Sequence, residues 1–70
     1  MIKVGDKYYD AKCDKEFVIA EIIHEDTHDW FIIQAKNVTF KGKLYETFRN
    51  SMNEDSINNG IIGGYIKKIN

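Results

Sequence analysis

Glu16-Phe-Val-Ile-Ala-Glu-Ile-Ile23 and Trp30-Phe-Ile-Ile-Gln-Ala35, joined by the polar segment His24-Glu-Asp-Thr-His-Asp29, decide the fold. Isoleucine, valine and aromatic side chains pack well on a pleated surface, and each run has the length of a strand. Two such runs with a short polar connector read as a β-hairpin. No other part of the chain is comparably apolar, so this hairpin supplies most of the core. Along the second run Phe31, Ile33 and Ala35 share one face, while Trp30, Ile32 and Gln34 share the other. Phe31 and Ile33 are assigned to the core, which leaves Trp30 and Ile32 on a second face.

Working outward, Gly5-Asp6 precedes Lys7-Tyr8-Tyr9, a short β-prone run, and Asp10 to Lys15 is a polar loop carrying Cys13. The hairpin strands span about Glu16 to His24 and Trp30 to Lys36. From Val38 the pattern alternates, with Val38, Phe40, Leu44 and Phe48 on one face and Thr39, Lys41, Lys43 and Tyr45 on the other. Lys41-Gly42 either divides this stretch by a tight turn, the favoured reading, or marks a bulge in one bent strand. Ser51-Met-Asn-Glu54 matches a capping box, and Asn58-Asn59-Gly60 supplies stop residues for a helical segment of a turn or two. A last strand, Tyr65 to Ile69, follows Gly63-Gly64. The chain thus reads as one mostly β domain over residues 1–70, closing into a small barrel that hides its sheet edges.

This order resembles the SH3-like barrels, in which a short helical turn precedes the last strand. Val4-Gly5-Asp6, with a composition rich in lysine, isoleucine and asparagine, is similar to small SH3-like proteins encoded by phages and mobile elements of AT-rich bacteria. The resemblance implies a barrel of about five short strands. It also implies an accessory or inhibitory role acting on a host protein. It transfers no active residue.

A chain of 70 residues buries about 60% of its unfolded surface and gains roughly 3–5 kcal/mol from its core. Cys13 is the only cysteine, so no intrachain disulfide supplements that core. A lone cysteine suits a reducing compartment. The polar opening Met1-Ile-Lys-Val-Gly-Asp-Lys does not read as a signal peptide, so a cytoplasmic protein is expected. Ten basic and eleven acidic residues give a net charge of −1, and Arg49 is the single arginine. Both facts argue against a dedicated phosphate-backbone binder.

The connector spells His-Glu-x-x-His at His24, Glu25 and His28, the zinc-protease spacing. That motif works on a helix, where both histidines ligate one ion and the glutamate acts as base. Here strands flank it, and Asp26, Thr27 and Asp29 fill it with turn-formers. A solvated hairpin turn is the expectation, with no metal or other cofactor. Asp10 and Asp14 beside Cys13 disfavour its thiolate. No glycine-rich phosphate loop is present, and no catalytic constellation emerges.

The expected function is therefore a non-enzymatic protein-binding module. Trp30, Ile32, Tyr45 and Tyr8 are the candidate anchors for a partner protein. Glu21 to Asp29 holds four acids and no lysine or arginine, whereas Lys36 to Arg49 holds four basic residues against Glu46 alone. Glu25, Asp26 and Asp29 at one pole and Lys41 and Lys43 at the other would steer the partner. A homodimer covering Trp30 and Ile32 is one arrangement. The alternative function is a nucleic-acid or nucleotide-binding module using Lys36, Lys41, Lys43 and Arg49, with Tyr45 as a stacking platform.

Overall fold

The computed structural model describes residues 2–70, the side chain of Phe40 excepted. Strands β1 (Lys7–Asp10), β2 (Lys15–His24), β3 (Asp29–Phe40) and β4 (Lys43–Asn53) are followed by helix α1 (Glu54–Ile62) and strand β5 (Ile66–Lys68). All strand pairs are antiparallel, in one sheet of order β4-β3-β2-β1-β5. The outermost strands β4 and β5 do not pair, so the sheet is open and the expected barrel closure is not formed. The reason lies in the C-terminal segment. β5 is only three residues long and spans β1 alone, while α1 packs against β3, β4 and β5. A helix, rather than a strand ladder, covers the open end of the core.

That core consists of Tyr8, Phe17, Ile19, Phe31, Ile33, Ala35, Ile57 and Ile66. Phe31, Ile33 and Ala35 thus occupy the inner face of β3, as their alternation implies. The β2–β3 ladder shifts register between Ile19 and Glu21. This bulge at Ala20 lets Ile19 face Ile33 and Ile22 face Phe31, both toward the core.

At the β3–β4 connection Lys41 and Gly42 both have positive φ, +52° and +78°, with Phe40 opposite Lys43. This is a two-residue type I′ turn, whose twist matches the flanking strands. Such a turn places even-numbered residues opposite odd-numbered ones, pairing Thr39 with Leu44 and Val38 with Tyr45. Leu44 therefore leaves the face expected for it and is 63% exposed. Asn37 also has a positive φ (+55°), a conformation asparagine tolerates better than most residues. Beyond it Val38, three residues after Ala35, is the next side chain packed against the core.

The helix starts later and runs longer than its sequence signals imply. Ser51 lies within β4, and the cap is Asn53, whose Oδ1 accepts the Ser56 N–H at 2.8 Å. Asn58-Asn59-Gly60 do not stop the helix. Gly60 is buried in it, and a Cβ there would fall 2.6 Å from Ile66 Cγ1. Glycine is needed at this position for close approach to β5. Termination falls instead at Gly63, whose N–H bonds to the Asn59 carbonyl, and Gly64 (φ +83°). The Tyr65 N–H still reaches back to the Gly60 carbonyl, so β5 begins at Ile66.

Asp6 ties the N-terminal segment to this frame. Its Oδ2 accepts the Lys3 N–H at 2.9 Å and faces the Tyr8 hydroxyl, while Lys68 Nζ stands 3.6 Å from Oδ1. The Lys3 backbone hydrogen bond holds its carboxyl below the ordinary range, aided by the Lys68 charge and opposed by burial.

Two outcomes follow from this packing. Phe31→Ala is expected to cost about 3–5 kcal/mol, close to the full stability of so small a domain, and to abolish a cooperative urea transition. A cooperatively folded Phe31→Ala protein would contradict the burial of that ring. Asp6 contributes stability that is complete above its unfolded value of 3.8. That contribution is lost as pH falls through the lower folded value. Asp6→Asn is expected to lower the melting temperature at neutral pH and to flatten its decline between about pH 4 and pH 2. An unchanged acid limb would remove Asp6 from this role.

Candidate partner-binding surface

The face of the sheet opposite the core is built by rows of side chains crossing β2, β3 and β4. One row is Ile23, Trp30 and Asn53, and the next is Glu21, Ile32 and Ser51. Because Ile19 and Ile22 both point inward around the bulge, Glu21 and Ile23 are turned outward, beside Ile32 and Trp30. Trp30 and Ile32 are half-buried and Ile23 is 42% exposed. Together with Glu25 and Ser51 these three line an open depression of about 340 Å³.

The β2–β3 turn shapes one wall. The Glu25 N–H donates to the His28 carbonyl, and the His28 ring sits edge-on to Trp30 at 4.9 Å between centroids. His24 Nδ1 lies 2.9 Å from Asp29 Oδ1, and His28 Nδ1 lies 2.9 Å from Thr27 Oγ1. The His-Glu-x-x-His spacing is thus carried by a strand end and a turn, not by a helix. Its two rings have different partners, and the described residues contain no cluster of three groups able to hold a metal ion.

The apolar patch has an acidic frame. Glu25 lines the depression, Asp26 and Asp29 belong to the adjoining turn, and Glu21 stands opposite Ile32. Glu54 and Asp55 open α1 directly after Asn53, the residue paired with Trp30. Glu21, Ile23 and Ser51 were not legible as members of this surface. Only the register, with its bulge, brings them alongside Trp30.

The remaining candidates lie elsewhere. Tyr8 is 3% exposed, stacks on Phe17 at 5.6 Å and faces Asp6, so it belongs to the core and not to a contact surface. Burial, reinforced by the Asp6 carboxylate, pushes its hydroxyl pKa up. Tyr45 shares the face of Val38 and meets Phe48 edge-on at 5.9 Å, on the opposite side of the sheet from Trp30. Lys43 Nζ lies 5.3 Å from the Tyr45 ring centroid. Lys41 and Lys43 occupy the β3–β4 turn and Glu25 and Asp26 the β2–β3 turn, at opposite ends of the 12-residue β3. Cys13 is an exposed free thiol whose pKa is raised by burial of its sulfur and then by the Asp10 carboxylate, which favours the unreactive protonated form.

No family model, curated protein or solved structure matches this chain. No helix among the described residues is long and apolar enough to cross a membrane.

With His24 and His28 engaged separately, purified protein is expected to carry no stoichiometric zinc, and a chelator is expected to leave its melting temperature unchanged. Tight one-to-one zinc, with peptide hydrolysis abolished by Glu25→Gln, would overturn this account of the turn.

Proposed function

We propose that the protein is a non-enzymatic binding module that docks a partner protein on the Ile23–Trp30–Ile32 surface. The observation that carries this is a half-exposed tryptophan between two isoleucines, on the sheet face away from the core, inside a frame of carboxylates. Aromatic anchors of this kind supply most of the free energy of a protein interface. The acidic frame supports a partner segment with an apolar side chain flanked by lysine or arginine, since complementary charge steers encounter and sets orientation.

The helix before the last strand and the return of β5 to the side of β1 support an SH3-like assignment for this sheet. The similarity of Val4-Gly5-Asp6 and of the overall composition to small phage and mobile-element proteins supports inhibition of a host protein as the purpose of binding. The lone exposed thiol supports a reducing, cytoplasmic setting.

Trp30→Ala is expected to weaken the partner complex by about 2 kcal/mol or more, roughly 30-fold, with folding retained because the ring is half exposed. Affinity capture from host lysate supplies the partner, and calorimetry with purified components supplies the number. Neutralising Lys41 and Lys43 together is expected mainly to slow association. The opposite balance would transfer the function to the nucleic-acid reading. That balance is micromolar DNA or RNA binding at physiological salt, insensitive to Trp30→Ala and lost in the double lysine variant.

A further inference from the structure

We propose that a second, separate site lies where the sheet splits, and that it takes an acidic extended peptide by strand addition. The ladder between β2 and β3 ends at Val18 opposite Gln34. Past that pair, Lys15 to Phe17 remain bonded to β1, while Ala35 and Lys36 remain bonded to β4. The two halves of the sheet part, and the turn of β3 at Asn37 falls just beyond the split. The opening is a cleft of about 470 Å³ with Phe17, Val18 and Ala35 among its walls.

Both walls present unpaired backbone. The Ile19 N–H turns away from β3 to the Asp6 carbonyl at 2.9 Å. Hydrogen-bonding direction alternates along a strand, so Val18 and Glu16 turn toward β3, and Gln34 and Lys36 turn toward β2. Val18 and Gln34 meet. Glu16 and Lys36 are the next pair in that register, and no ladder joins them. Their N–H and C=O groups therefore face the cleft, as the edge groups of a sheet do when they accept an added strand.

Charge selects the occupant. Lys7, Lys15 and Lys36 line the cleft, and among the described residues none of them forms an ion pair. Arg49 adds a fourth cation beside it, held to Gln34 Oε1 at 2.9 Å. Two carboxylates also line the opening, but Asp14 already accepts the Tyr9 hydroxyl at 2.6 Å, which leaves Glu16 as the uncommitted one. An extended peptide alternating acidic and apolar residues satisfies all three features. Its backbone meets the Glu16 and Lys36 groups, its apolar side chains meet the walls, and its carboxylates meet the lysines. This site is independent of the Trp30 surface.

The test is an amide-resolved NMR titration of the full chain with a short capped peptide alternating glutamate and valine. Its lysine-for-glutamate counterpart and a version N-methylated at alternate backbone amides serve as controls. In the free protein the Glu16 and Lys36 amide protons are expected to exchange fast. The acidic peptide is expected to shift and protect them. Both control peptides are expected to lose binding, and Lys15→Glu with Lys36→Glu is expected to weaken it at least about tenfold. Trp30→Ala is expected to leave it unchanged, so failure here is distinct from failure of the proposed function. Undiminished binding of the N-methylated peptide would overturn strand addition. Slow exchange at Glu16 and Lys36 in the free protein would overturn the open walls. Shifts produced at these amides by ATP or inorganic triphosphate, with the peptide silent, would overturn the peptide in favour of a phosphate ligand.

Discussion

One extra residue at Ala20 governs both the core and the surface of this domain. Without the register shift, strict alternation from the fully buried Ile19 would carry Glu21 inward and Ile22 outward. A carboxylate would then face Phe31, and burying it unpaired in so small a core would cost more than the core can supply. With the shift, Ile19 meets Ile33, Ile22 meets Phe31, and Glu21 reaches solvent. The same shift sends Ile23 outward beside Trp30. Burial of Ile22 and the outward placement of Glu21 and Ile23 are therefore consequences of a single backbone irregularity.

Closure of the core depends on the C-terminal third of the chain. The β2–β3 hairpin is covered on its inner face by Ile57 of α1 and Ile66 of β5, both almost wholly buried. Their approach requires Gly60, because any side chain there would collide with Ile66. Extending the helix past Asn58 and Asn59 spends helix propensity, which is modest, to place Ile57 over the hairpin. The helix packs against β3, β4 and β5, while the three-residue β5 pairs with β1 alone, and the sheet stays open.

The hairpin and its inner face were legible in the sequence because β-branched and aromatic residues alternate there over enough positions to fix a face. Local signals without that support were less informative. Ser51 and Glu54 match a capping box, yet strand pairing with β3 continues through Asn53 and moves the cap two residues on. The alternation read from Val38 to Phe48 did not hold across β4: a two-residue turn reverses its parity and turns Leu44 away from Val38, and Tyr45 and Phe48, read on opposite faces, meet at 5.9 Å. Tyr8 sits in a four-residue strand with too little period to show a face, and its burial follows from pairing with Phe17. Of the outer surface, Trp30 and Ile32 were legible and Ile23 was not, because its direction depends on the bulge.

The distribution of charge follows the distribution of unpaired backbone. β4 is a long strand on an open edge, and Lys43, Glu46 and Arg49 punctuate it with charges that disfavour indiscriminate edge pairing. Inside the split, Lys15 and Lys36 stand on either side of two more unpaired backbone edges. Like charges there repel a second copy's basic segment, and under the strand-addition proposal they would attract an acidic one. At the other end of β3 the sign is reversed, with carboxylates surrounding the apolar patch. A 35 Å molecule with opposite charge preferences at its two ends favours one orientation toward any partner that is itself charged. For the docking proposed on the half-buried Trp30, electrostatics would supply an orientation that so small an apolar patch cannot impose alone.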